Sequence, residues 1–250
     1  MESLEAELDR ARGVSVEELA DAIESIGFEC TRCGGCCTAV ESGGCGSDNA
    51  DDAASEPHTA TVFPDEVRRL QAAAADSGEE PYDWRDVARP MPYGIEEADD
   101  GSEGETFEWA LQTDGCGDCV FYAEADDGTG ACTVHGDRPL VCRTYPFSLA
   151  LGGAAEPMGA AVDRAGLVRA HECEGLGRDI AREDAAELAA ALKERTIRDL
   201  EEAIGVRDNY EPTDVDGVVV HDSEGQKRPD GTALLGSDGR GSDRTGPDRR

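Results

Sequence analysis

Aromatic residues are few in this sequence: five Phe, five Tyr and two Trp among 250 residues. Large rings supply much of the buried area in ordinary cores, so the core here must be lean or reinforced by other bonds. No apolar run approaches the ~18 residues of a membrane-spanning helix. The opening "MESLEAELDR" is polar and acidic, where an export leader would carry a basic and then an apolar stretch. The glycine patterns of phosphate and dinucleotide loops are missing, as is a GxSxG nucleophile elbow. No repeat of solenoid type occurs. No cofactor loop or catalytic dyad is therefore signposted.

Lysine is rarer still, with Lys193 and Lys227 the only two among 23 basic residues. Against these stand 56 acidic residues and a formal net charge of -33. A surface of that sign repels phosphate backbones and anionic headgroups, so neither nucleic acid nor a membrane is an expected partner. Acid excess with little lysine and abundant alanine and glycine resembles the proteins of salt-in halophiles. In molar salt, charge repulsion is screened within about 3 Å, and the charge then speaks of solvation rather than of a ligand. The expected location is cytoplasmic, where thiols stay reduced.

Ten cysteines are present in spite of that. In a reducing compartment they point to metal or redox chemistry before disulfides. Four stand within eight positions of "FECTRCGGCCTAV": Cys30, Cys33, Cys36 and Cys37. A C-x2-C turn aims two sulfurs at one point while its amides face inward. Two such turns in series wrap three ligands round one centre, a spacing shared with bacterial ferredoxins. Cys37 follows at once, and its side chain must leave in another direction, to complete a second centre or to bridge two metals. Gly34 and Gly35 permit the tight backbone. Downstream lie Cys116, Cys119, Cys132, Cys142 and Cys173, with Cys45 between the groups. Cys116 and Cys119 form another CxxC, which leaves either available as a ligand. His135 and His171 are candidate nitrogen donors near Cys132 and Cys173. His58 and His221 read as loop residues without a role.

The remaining pattern predicts a small α+β domain stabilised by metal, with a short sheet, flanking helices and long acidic loops. Residues 1–27 read as helical, with Ser15 as N-cap, Glu18 three residues on and Gly27 as the stop. "TATVFPDEVRRLQAAAAD" predicts a short strand and a helix with Pro64 in its first turn. The stretches 41–57 and 96–105 read as exposed loops. In "TFEWALQ", alternation places Phe107, Trp109 and Leu111 on one face of a strand. Helical periodicity covers 182–204, and "DVDGVVVHD" predicts a last strand. The expected organisation is an N-terminal helical segment 1–27, a cysteine-cluster domain 28–222 and a disordered tail 223–250.

C-x2-C-x2-C-C, then C-x-F, C-x-V-H, R-P-x2-C-R-x-Y-P-F and a late C-x-G-x-G together resemble the YkgJ-like cysteine-cluster proteins over about residues 28–177. Those proteins are described as zinc- or iron-chelating, and many are labelled iron–sulfur proteins. The resemblance implies Cys30, Cys33, Cys36, Cys37, Cys119, Cys132, Cys142 and Cys173 as metal ligands. Arg138 and Arg143 flank Cys142 and would offset the negative charge of a thiolate cluster, binding it from outside the ligand set. An iron–sulfur cluster, of the 4Fe–4S type, is the expected cofactor, with zinc the alternative. The expected role is redox or electron transfer with an unidentified protein partner. The alternative is a zinc-chelating structural or interaction module. A third reading, a cluster-dependent enzyme, rests on a flagellin lysine N-methylase that carries a similar cysteine cluster.

Overall fold

The computed structural model describes residues 3–39, 56–77, 80–98, 101–152, 161–163 and 166–234. Two helices open the chain, α1 (Leu4–Gly13) and α2 (Val16–Ile26). Ser15 Oγ accepts the amide of Glu18 at 3.3 Å, and Gly27 leaves α2 at φ +78°, where a side chain would be strained. The expected start and stop are both present. Next come β1 (Thr61–Val62), α3 (Pro64–Ser77), α4 (Trp84–Val87) and β2 (Ala88–Pro90). Then β3 (Ile95–Ala98), β4 (Gly101–Thr106), β5 (Trp109–Leu111), β6 (Tyr122–Glu124) and β7 (Gly130–Cys132) lead to α5 (Leu140–Thr144). The chain closes with β8 (Phe147–Leu149), β9 (Ala161–Asp163), β10 (Val168–His171), α6 (Arg182–Asn209), β11 (Val218–Asp222) and β12 (Gly225–Lys227). The class is α+β, with several short sheets and no closed barrel among the described residues. No helix of the described residues is long and apolar enough to cross a membrane.

Two main cores form. In the first, Leu19, Ala20 and Ile23 of α2 meet Ala185, Ala189 and Leu192 of α6 over Phe147, Leu149, Val168 and Ala170. The latter four come from the antiparallel sheet β8–β10–β9. The second gathers Val62, Val67, Leu70, Val87, Trp109, Leu111, Phe121 and Val220 around the sheet β1–β5–β2. Four cysteines belong to this second core, which is how a chain poor in rings completes it. Helix α6 spans both, packing on α2, α1, α5 and β11.

Several expectations need correction. Residues 96–98 and 101–105 are strand rather than loop. They form most of the hairpin β3–β4, with Ile95 opposite Gly104, and β4 lies parallel to β11, with Val219 opposite Glu105. Glycine and glutamate make poor strands alone, but the valines of β11 supply the pairing partner from more than a hundred residues away. Phe107 does not share the buried face of Trp109 and Leu111: it is 47% exposed, because the chain leaves one sheet after Thr106 and enters another at Trp109. His221 is no loop residue. It is 1% exposed in β11, with Nε2 at 2.8 Å from Glu105 Oε2. The strand β12 and the bond from Leu234 N to Gln226 O lie inside the segment read as disordered. Most of the 41–57 loop, including Cys45, lies outside the described residues.

Candidate metal centre

Among the described residues eight cysteines carry free thiols: Cys30, Cys33, Cys36, Cys37, Cys119, Cys132, Cys142 and Cys173. Cys116 is disulfide-bonded, so Cys119 is the member of that CxxC pair left to act as a ligand. Backbone bonds draw the distant segments together. The amide of Cys119 donates to the carbonyl of Cys37 at 2.8 Å, joining the adjacent pair to the second cysteine group. Gly130 N donates to Arg32 O at 2.8 Å, and Tyr122 opposes Cys132 in the β6–β7 hairpin. On the other side, Phe28 and Leu176 form a bridge and Glu29 N donates to Gly175 O at 3.0 Å. That places Cys173 beside Cys30.

The signature residues around the thiols now acquire reasons. Gly34 sits at φ +80° with the Tyr122 phenol where a Cβ would stand, so only glycine lets the Cys33–Cys36 turn close against the hairpin. Gly175 abuts the carbonyl of Glu29 in the same way, and its amide donates to Cys173 Sγ at 3.4 Å. Phe147 is core and meets Phe28 edge-on at 5.7 Å. The Tyr145 hydroxyl donates to the carbonyl of Glu172, tying the strand after α5 to the Cys173 loop. Pro139 precedes α5, whose first amide, Leu140 N, donates to the buried carboxylate of Glu66 at 2.9 Å. Glu66 also accepts Phe63 N at 3.2 Å. One side chain on α3 thus fixes the helix that carries Cys142.

The electrostatics are those of crowded sulfurs. Cys36 Sγ and Cys37 Sγ lie 3.7 Å apart. Their hydrogen bond, with help from the Arg138 guanidinium, brings the Cys36 thiol down to about 7. The same bond, then burial and the charge of Cys36, drive Cys37 strongly up. Burial pushes Cys119 up to about 11 and Cys142 further, and neighbouring thiolates add to both. Burial likewise raises Cys132, which Arg138 pulls back down. Cys173 is raised by burial and by Cys33, Cys36 and Cys30. Anionic sulfurs packed this closely repel one another, and a shared cation turns the same packing into attraction. Among the described residues no three donors already converge on one point. The donor chemistry fits zinc and iron–sulfur clusters alike.

Arg138 stands beside Cys36, Cys132 and Cys142, whereas Arg143 is exposed on α5. His135 is exposed in a short turn, its imidazole held below its usual range by Arg138. His171 Nε2 is hydrogen-bonded to Ser148 Oγ at 2.8 Å, which engages that nitrogen away from the thiols. Sequence reasoning missed Glu66. Its place three residues after Phe63, behind Pro64, signals a local cap, but nothing nearby signals Leu140. A separate cleft of about 480 Å³ between β3, β4 and residues 213–219 is lined by Glu96, Glu103, Glu105 and Asp216 rather than by thiols.

A family model described as "CxxCxxCC: Putative zinc- or iron-chelating domain" matches residues 29–174. No curated protein and no solved structure matches the chain.

Proposed function

Because the chain belongs to the CxxCxxCC family of zinc- or iron-chelating domains, we propose that its free thiols hold iron–sulfur clusters of the four-iron type and that it exchanges electrons with a protein partner. One observation carries this reading: eight free thiols stand on segments that backbone bonds bring together. Eight is twice the four thiolates such a cluster takes. Bound clusters would supply one-electron chemistry. The chain's own residues would set how easily it occurs. Arg138 offsets the negative charge of the thiolates and favours the reduced state, while burial of Cys119 and Cys142 opposes added charge. Cys30, Cys33 and Cys36 are exposed, which brings this side within reach of a partner.

A second reading has a specific observation in its favour. The 3.7 Å between Cys36 Sγ and Cys37 Sγ matches the edge of about 3.8 Å in a tetrahedron of thiolates around zinc. Zinc would make the chain a structural or interaction module. Anaerobic purification with visible absorption and analysis for iron, zinc and acid-labile sulfide decides between them. A brown protein with iron and sulfide supports the clusters; a colourless protein with stoichiometric zinc overturns them.

A further inference from the structure

The free thiols differ in what surrounds them, and the difference follows the chain between Cys36 and Cys37. Cys119 is buried within the second core, and Cys37, Cys132 and Cys142 pack against that same core. Cys37 and Cys119 are joined by the 2.8 Å backbone bond, Cys132 sits on the hairpin that pairs with Tyr122, and Cys142 sits on the helix held by Glu66. Each of these four is anchored by an element of the core. The other four are not part of it. Cys30, Cys33 and Cys36 are exposed on an irregular segment, and Cys173 comes from a loop joined to that segment through Glu29 and Gly175.

We infer that the shell is two centres rather than one: an inner centre of Cys37, Cys119, Cys132 and Cys142, and an outer, exchangeable centre of Cys30, Cys33, Cys36 and Cys173. The inference rests on the cluster reading above; in the zinc arrangement Cys36 and Cys37 would instead share one ion. The two centres abut, since Cys36 and Cys37 are neighbours in sequence and 3.7 Å apart at sulfur. Their access differs. A competing ligand reaches the exposed Cys30, Cys33 and Cys36 directly, whereas Cys119 is buried and Cys37, Cys132 and Cys142 are half-buried against the second core, which slows access to them. The inner centre is therefore part of the fold, because removing its metal unpicks the packing of β1–β5–β2 and α5. The outer centre is where the protein trades metal or electrons with its surroundings.

The test is release of metal from the protein as purified anaerobically, by excess EDTA, read as metal passing a filter over time and not as activity. Two phases of equal amplitude are expected, with loss of the first leaving the circular dichroism unchanged. Cys30→Ser should purify with half the metal and show only the slow phase. Cys132→Ser should also purify with half the metal and show only the fast phase. If Cys132→Ser does not fold, the exposed Cys30→Ser variant decides alone. Release of all the metal in one phase, or loss of all of it in Cys30→Ser, overturns the two-centre assignment while leaving metal binding intact. A folded, reduced protein that purifies without metal overturns the metal reading itself, and the assignment falls with it.

Discussion

Replacing Glu66 tests whether the core positions the metal shell. Its side chain is 1% exposed, and its carboxylate accepts Phe63 N at 3.2 Å and Leu140 N at 2.9 Å, with Arg69 at 3.5 Å. Burial pushes this carboxyl up, and the two amides and Arg69 pull it back. Each hydrogen bond to a charged acceptor is worth about 1.5–3 kcal/mol net. Losing two of them, less the relief of no longer burying a charge, puts Glu66→Ala at about 3 kcal/mol. For a chain of this size that is roughly a 6–12 °C fall in Tm. Glu66→Gln keeps one acceptor oxygen but turns an NH2 toward the other amide, so it should recover less than half of the loss. Thermal unfolding of the metal-loaded protein, followed by circular dichroism, measures both. The effect should also be local: because Glu66 holds α5, the slow phase of metal release should quicken while the fast phase stays. A Tm within a degree of the parent for Glu66→Ala, or equal quickening of both phases, would refute the reasoning.

Gly34→Ala should cost at least as much as its strained φ, about 1 kcal/mol, because the new Cβ also meets the Tyr122 phenol; Tyr122→Ala in the same chain should recover the steric part, as read from Tm. His58 is held down to about 4 by burial and by Arg89, against an ordinary 6.5. It stays neutral in the fold, so its contribution is complete above pH 6.5 and is lost as the pH falls from 6.5 toward 4. His58→Gln should flatten the Tm profile in that window, and an unchanged slope would contradict the burial. Asp199, pushed up to about 6 mainly by burial, acts with the opposite sign, its cost lifting as the pH falls through 6; Asp199→Asn should therefore stabilise the protein more at pH 8 than at pH 5. Stripping all metal under reducing conditions should disorder the second core and leave α2 and α6 packed on β8 and β10, since no thiol belongs to the first. Hydrogen exchange would then rise across β1, β5 and α5 but not across α6.

The helices and the family were legible because their signals are local. Ser15, Gly27 and Pro64 mark ends through bonds within one turn, and the cysteine spacings state their chemistry in the chain itself. What escaped depends on residues far apart. The β3–β4 hairpin looks like loop until β11 pairs with it, and Phe107 looks inward-facing until the chain changes sheets. His221 looks like a polar loop residue until β11 is buried under Tyr210 and beside Glu105. Cys116 and Cys119 are indistinguishable by spacing; what sets them apart is the disulfide at Cys116 and the backbone bond that joins Cys119 to Cys37. Glu66 shows its short partner in the sequence and hides its long one.

The most direct measurement is the iron, sulfide and zinc content of the anaerobically purified protein, for the parent and for Cys30→Ser. Two four-iron clusters predict iron and acid-labile sulfide in equal amounts, about eight of each per chain, falling to half in the variant. Zinc without sulfide, or a parent carrying a single cluster that Cys30→Ser abolishes, would contradict the account.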